Sequence, residues 1–123
     1  MKPSSVFDYV ARSEGGAIET SDGDVMSMYE AGDIPLAAVT GICVLGAIGV
    51  AYRNRAVGVM QAVTLKLARS LGFDTNCSCL KGADVFGCAC TADLRASHFV
   101  ADWHDEDGRT LGEIKSALLA IGE

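Results

Sequence analysis

Between Ile34 and Tyr52 the chain carries no charged residue (IPLAAVTGICVLGAIGVAY), and Arg53 and Arg55 follow at once. No other feature narrows the fold as much. The run is near the lower length limit for a membrane-spanning helix, and the two arginines would suit a cytoplasmic flank. Its content argues otherwise, because Pro35, Thr40, Gly41, Gly46 and Gly49 dilute it and bulky apolar side chains are few. We therefore read it as the central helix of a small globular protein, apolar all round because neighbours cover it. Asp33 serves as its N-cap, with Pro35 tolerated in the first turn. Cys43, Gly46, Ala47 and Val50 then share one face at i, i+3, i+4, i+7. Glycine inside a helix costs on the order of 1 kcal/mol against alanine. Gly46 and Gly49 thus imply a neighbouring element that approaches closely.

The flanking segments supply the rest of an α+β domain. A short helix is expected from about Ser5 to Ser13, capped by Ser4 or Ser5, with Val6, Phe7 and Val10 on its apolar face and Gly15-Gly16 as its stop. Residues 17–20 and 25–29 read as a β-hairpin around Ser21-Asp22-Gly23-Asp24, since Asp-Gly supplies the positive φ that tight hairpin turns need. Residues 56–71 form the clearest helix, with Val57, Met60, Val63, Leu67 and Leu71 in one stripe and Gly72 after the end. Arg53-Asn54-Arg55 is a short joint, so this helix and the central one should lie roughly antiparallel. Residues 73–95 show no helical period. Residues 96–103 fit a short helix or strand. The last helix is marked by the capping box Thr110-Leu111-Gly112-Glu113 and the stripe Leu111, Ile114, Leu118, Ile121.

Composition excludes several function classes. Half of the 123 residues are hydrophobic, which is incompatible with a mainly disordered chain. The 16 acidic and 10 basic side chains leave a formal charge of −6. A protein that binds nucleic acid through direct phosphate contact needs a basic face, so that class is set aside. The length is that of one domain, residues 1–123. The start Met1-Lys2-Pro3-Ser4-Ser5 has no apolar stretch after Lys2, so it does not read as a secretory signal. With five cysteines, an odd number, the expectation is a reducing cytoplasm in which thiols stay free or hold metal.

Three constellations could carry chemistry. Cys77, Cys79, Cys88 and Cys90 form a symmetric Cys-x-Cys pair of pairs. Four thiolates can close a tetrahedral zinc site, although structural zinc sites favour two or more residues between paired cysteines. Cross-strand disulfides and four free, small apolar thiols are the other two readings. The second constellation is Cys43 with His104 and Asp105, or with His98. A cysteine nucleophile needs a base within hydrogen-bond reach and gains from a helix N-terminus. A helix starting at Thr40 would put Cys43 in its first turn. A helix starting at Asp33, the preferred reading, puts Cys43 two turns in, buried and inert with a raised pKa. The third is the acidic corner Asp102-Trp103-His104-Asp105-Glu106-Asp107. Carboxylates around one histidine suit a cation or a basic partner, and equally a solvated loop whose negative charge favours the next helix N-terminus. No phosphate-cradling loop, Ser-His-Asp order or dinucleotide fingerprint is present.

Several short motifs occur in an order that belongs to a family. They are Gly16-Ala17-Ile18, the Asp22-Gly23 turn, Cys43-Val44-Leu45-Gly46-Ala47-Ile48, Trp103-His104-Asp105, Gly108-Arg109-Thr110 and Glu113-Ile114. In this the chain resembles a family of small uncharacterised proteins of actinobacteria, other bacteria and their phages, defined as a domain of unknown function. The resemblance spans most of the chain. His104 stands where the family usually has Asn, and the Cys77–Cys90 region is not part of the pattern. The resemblance implies a small soluble fold and no particular activity.

The expected architecture is thus mainly α with a short N-terminal hairpin. The central run and the 56–71 helix form its core pair, with the first and last helices packed on them. The expected function is that of an acidic cytoplasmic accessory protein, of phage type, that binds and inhibits another protein without a cofactor or a membrane. Asp102, His104, Asp105 and Asp107 are its candidate contact residues. The alternatives are a cysteine-dependent hydrolase or redox protein using Cys43 and His104, and a zinc-stabilised module using Cys77, Cys79, Cys88 and Cys90.

Overall fold

A computed structural model describes residues 1–13, 16–73 and 92–123. The helices are α1 (Pro3–Val6), α2 (Val44–Ala51), α3 (Val57–Ser70), α4 (Ala92–His104) and α5 (Leu111–Ala120). The strands are β1 (Ile18–Thr20), β2 (Val25–Met26) and β3 (Val39–Ile42), in one antiparallel sheet of order β2-β1-β3. The architecture is mainly α with a small sheet.

The hairpin forms where Asp22-Gly23 places it. Gly23 has φ 87°, a conformation that only glycine adopts without strain. Ile18 pairs with Met26 and Glu19 with Val25. The second arm is shorter than expected, because Ser27 caps a single 3-10 turn at Met28–Glu30 in a capping box with Glu30.

The uncharged run does not form one helix from Asp33. It folds in three pieces: a 3-10 turn at Leu36–Ala38, strand β3, and helix α2. The physical reason lies in residues 39–42. Val39, Thr40 and Ile42 are β-branched and suit a pleated surface better than a helix. They pair with β1, Ile18 opposite Ile42 and Glu19 opposite Gly41. On the other side of β3 the chain after α1 docks, with an isolated parallel bridge between Arg12 and Ile42. The Ile42 amide donates to the Ala11 carbonyl at 2.9 Å and its carbonyl accepts from the Ser13 amide at 2.9 Å. No helix among the described residues is long and apolar enough to cross a membrane.

The small face of α2 has the tight neighbours its composition implied. A Cβ on Gly46 would stand 1.9 Å from the Ala17 carbonyl oxygen, and one on Gly49 would stand 2.2 Å from that of Met28. The helix therefore lies directly on backbone.

Helix α1 is one turn rather than two, with Lys2 at its N-cap, and Val6, Phe7 and Val10 are buried all the same. α3 packs mainly against α4, so the chief helical pair is α3–α4 rather than α2–α3. Within α3, Met60, Val63 and Leu67 are buried, whereas Val57 at the open end is exposed. The capping box of α5 is formed: Thr110 Oγ1 accepts from the Glu113 amide at 3.1 Å and Glu113 Oε1 accepts from the Thr110 amide at 3.3 Å. Ile114, Leu118 and Ile121 line its buried face, while Leu111 is 37% exposed. The buried side chains form one cluster contributed by every helix and by β1 and β3. Residues 92–104 resolve the helix-or-strand choice for 96–103 in favour of helix.

Candidate functional site

The piecewise folding of the uncharged run moves Cys43 from mid-helix to the N-cap of α2. Its backbone is extended (φ −97°, ψ 178°). Its amide donates to the Ala17 carbonyl at 3.0 Å, and its carbonyl accepts from the Ala47 amide at 2.9 Å, the first bond of the helix. The thiol is free and 7% exposed. Helix-N-terminal placement and burial, which the sequence presented as alternatives, occur together.

His104 closes the other side. Ala96, Val100 and His104 recur at i, i+4 and i+8 along α4, and all three are fully buried. The ring thus belongs to the core-facing stripe and points away from the acidic corner. The Val44 amide donates to His104 Nδ1 at 3.3 Å. An accepting Nδ1 carries no proton, so in the neutral ring the proton sits on Nε2. Nε2–H then donates to the Ser13 carbonyl at 2.8 Å. On the backbone side, Arg12 Nη2 donates to the His104 carbonyl at 2.6 Å. One imidazole therefore joins the end of α4 to the start of α2 and to the segment beside β3. It also satisfies one of the amides that every helix N-terminus leaves unbonded. Ser13 and Val44 bond through their backbone groups, and no side-chain pattern in the sequence announces them.

Cys43 and His104 line one cleft, of about 340 Å³ including its open mouth. It is lined by Gly16 and Ala17 just before β1, by Cys43 and Leu45 at the start of α2, and by Ala101, His104 and Asp105 around the end of α4. Burial pushes the Cys43 thiol up from its ordinary pKa. The Gly46 and Leu45 amides pull it down, and the Asp105 carboxylate adds a smaller upward push. Burial prevails, so the thiol is held protonated. His104 is badly placed to change that, since its acceptor nitrogen is bonded to Val44 and its other nitrogen carries the donated proton. His98 lies one turn before Asp102 on α4, and the cleft is lined by His104 instead.

The acidic corner splits by direction. Asp102 on the last turn of α4, and Asp105, Glu106 and Asp107 beyond it, are exposed, while His104 among them is buried. The corner is braced by Arg109. Its guanidinium lies 4.2 Å over the Trp103 ring, its Nε–H donates to the Trp103 carbonyl at 3.0 Å, and its two Nη groups pair with Glu106 and Glu113 at 2.8 Å each. Gly108 turns the chain with φ 83°, and Thr110 caps the next helix as its capping box implies.

Cys77, Cys79, Cys88 and Cys90 lie outside the described residues. Among the described residues, no group of three or more His, Cys, Asp or Glu side chains is placed to hold a metal ion. The chain matches no family model, no curated protein and no solved structure.

Proposed function

We propose that this chain is a small acidic accessory protein that acts in the cytoplasm by binding another protein, without a cofactor. The observation that carries the reading is the braced acidic corner. Asp102, Asp105, Glu106 and Asp107 are exposed together, on a turn held by Arg109 between Trp103, Glu106 and Glu113. Carboxylates fixed on a rigid support lose little freedom on meeting a basic surface, and charge complementarity speeds that encounter. Covering a basic site would inhibit the partner. The bonded state of His104 supports a binding role over catalysis at Cys43.

The test is a pull-down from native host lysate, followed by titration of the recovered protein against purified wild type and the double variant Asp105→Asn, Asp107→Asn. One partner should bind the wild type, weaken with added salt, and lose about tenfold or more in affinity to the variant. Equal retention by both proteins, or no retained protein, would remove the proposal.

The cleft favours one second reading, a cysteine-dependent hydrolase or redox protein, because it brings Cys43, His104 and Asp105 to one place. Fast alkylation of Cys43 near neutral pH would support it. A zinc-stabilised module built on Cys77, Cys79, Cys88 and Cys90 would show about one zinc per chain on elemental analysis of untagged protein.

A further inference from the structure

We propose that His104 is an acid-operated latch on the Cys43 cleft. A second proton on its ring breaks the bond to Val44, frees the N-terminus of α2 from α4, and uncovers the thiol.

Two bonds of the ring fix its protonation state. Nδ1 accepts the Val44 amide and Nε2–H donates to the Ser13 carbonyl. Only one protonation state serves both. A doubly protonated imidazole has two N–H groups and no acceptor, so its Nδ1–H would face the Val44 N–H, donor against donor. The conflict falls at the positive end of the α2 dipole, where a cation is disfavoured. It also falls at a fully buried position, where the charged form loses its hydration.

The charged and titratable neighbours divide. From α2 comes Cys43, whose thiol is held neutral. From the segment after α1 comes Arg12, whose guanidinium bonds the His104 carbonyl and opposes a second positive charge. Next along the chain, Asp105 lines the same cleft and favours one, while Asp102 and Asp107 are exposed to solvent. From β1, Glu19 shares with Ser13 the space over Gly41. Glu14 lies outside the described residues. The carboxylates can lower the cost of the imidazolium, but none supplies the acceptor that Val44 loses. Separating the ring and the amide relieves the conflict. The Val44 amide is covalently joined to Cys43, and Cys43 and His104 both line the cleft, so separating ring and amide widens it.

The test follows Cys43 by peptide mapping after reaction with 4,4′-dithiodipyridine. The Cys43 thiol gives its proton to solvent and its sulfur attacks the disulfide to form one mixed disulfide, and the pyridinethiolate that leaves takes up a proton to become pyridinethione. The rate for the Cys43 peptide in the native protein is divided by its rate in urea at the same pH, which removes the intrinsic dependence. Protection of Cys43 should fall about tenfold or more between about pH 7.5 and about pH 5. Helical circular dichroism should be retained, and protection should return on neutralisation. In His104→Asn, protection should not change with pH, because the Asn Oδ1 can accept the same amide and does not titrate. In Asp105→Asn the fall should persist. Constant protection in the wild type would overturn the latch. So would an equal fall in His104→Asn, loss of the fall in Asp105→Asn, or a fall that appears only with loss of helix. Should His104→Asn fail to fold, ring ¹⁵N shifts of wild-type His104 decide the matter. Ring protonation that tracks loss of Cys43 protection supports the latch, and a ring neutral until global unfolding removes it.

Discussion

The His104 ring holds the Val44 amide at 3.3 Å across 60 residues of sequence. A helix N-terminus usually takes its cap from a side chain one to three residues away. Here the residue in the N-cap position is Cys43, whose side chain makes no cap bond, and the acceptor comes from the end of another helix. The bond thus ties the start of α2 to the fold's tertiary packing. α2 has only eight residues, too few to hold together alone in water.

His104→Ala should therefore cost more than a typical core truncation. It removes the acceptor for Val44, the donor to Ser13, and the volume of a fully buried ring. We expect a loss of about 3 kcal/mol from urea unfolding curves. His104→Asn keeps an acceptor at the position of Nδ1 and should lose about half as much. Equal losses would mean that the ring's volume matters and the bond to Val44 does not.

The sequence disclosed the elements whose signals are local. Asp22-Gly23 marked the hairpin, Thr110 and Glu113 marked the start of α5, and the stripe of Met60, Val63 and Leu67 marked α3. It misled where a local signal competed with tertiary pairing. Asp33 and Pro35 look like a helix start, but Val39 to Ile42 gain more by completing the sheet between β1 and the Arg12 segment. That shift moved Cys43 to a helix terminus. The direction of His104 was encoded in its spacing from Ala96 and Val100, yet the surrounding carboxylates masked it. Its bonds to Ser13 and Val44 use backbone groups, which every residue has, so no residue type could reveal them.

The glycines of α2 and α3 should respond oppositely to alanine. In Gly46→Ala the new Cβ would stand 1.9 Å from the Ala17 carbonyl oxygen and 2.7 Å from Ile42 Cγ1. Backbone must move, and we expect a loss of about 2 kcal/mol despite alanine's better helix propensity. In Gly58→Ala nothing lies within 4 Å of the new atom, so stability should rise by about 0.5 kcal/mol. Thermal or urea unfolding checks both signs.

Alkaline pH should weaken the fold in two steps. The Cys43 thiol is raised chiefly by burial. Tyr52 is raised to about 12, chiefly by its hydrogen bond to the Glu123 carboxylate. A pKa raised on folding means that the folded state holds its proton longer. The associated stability is present below the unfolded pKa and is lost as pH rises through the folded one. Thermal midpoints should fall from the ordinary thiol range upward, and again between about pH 10 and 12. Cys43→Ala should flatten the first decline, and Tyr52→Phe the second. A decline unchanged in both variants would place its origin elsewhere.

Arg109→Lys should behave more like a deletion than a conservative change. One guanidinium stacks on Trp103, bonds the Trp103 carbonyl through Nε, and spreads its two Nη groups to Glu106 and Glu113. An ammonium has the charge but neither the plane nor the fork, so it can serve one or two of these partners. The exposed ion pairs contribute little by themselves. The stacked and backbone contacts carry most of the loss, and we expect about 1 kcal/mol for Arg109→Lys and slightly more for Arg109→Ala. Glu113 has its pKa lowered first by Arg109 and then by the Thr110 amide. Stability from a lowered carboxyl is present above its unfolded pKa and is lost as pH falls through the folded value. Both Arg109 variants should therefore bring the Glu113 titration back toward the ordinary carboxylate range, as read by NMR. An unmoved Glu113 would show that the capping box alone sets it and that Arg109 braces only Trp103.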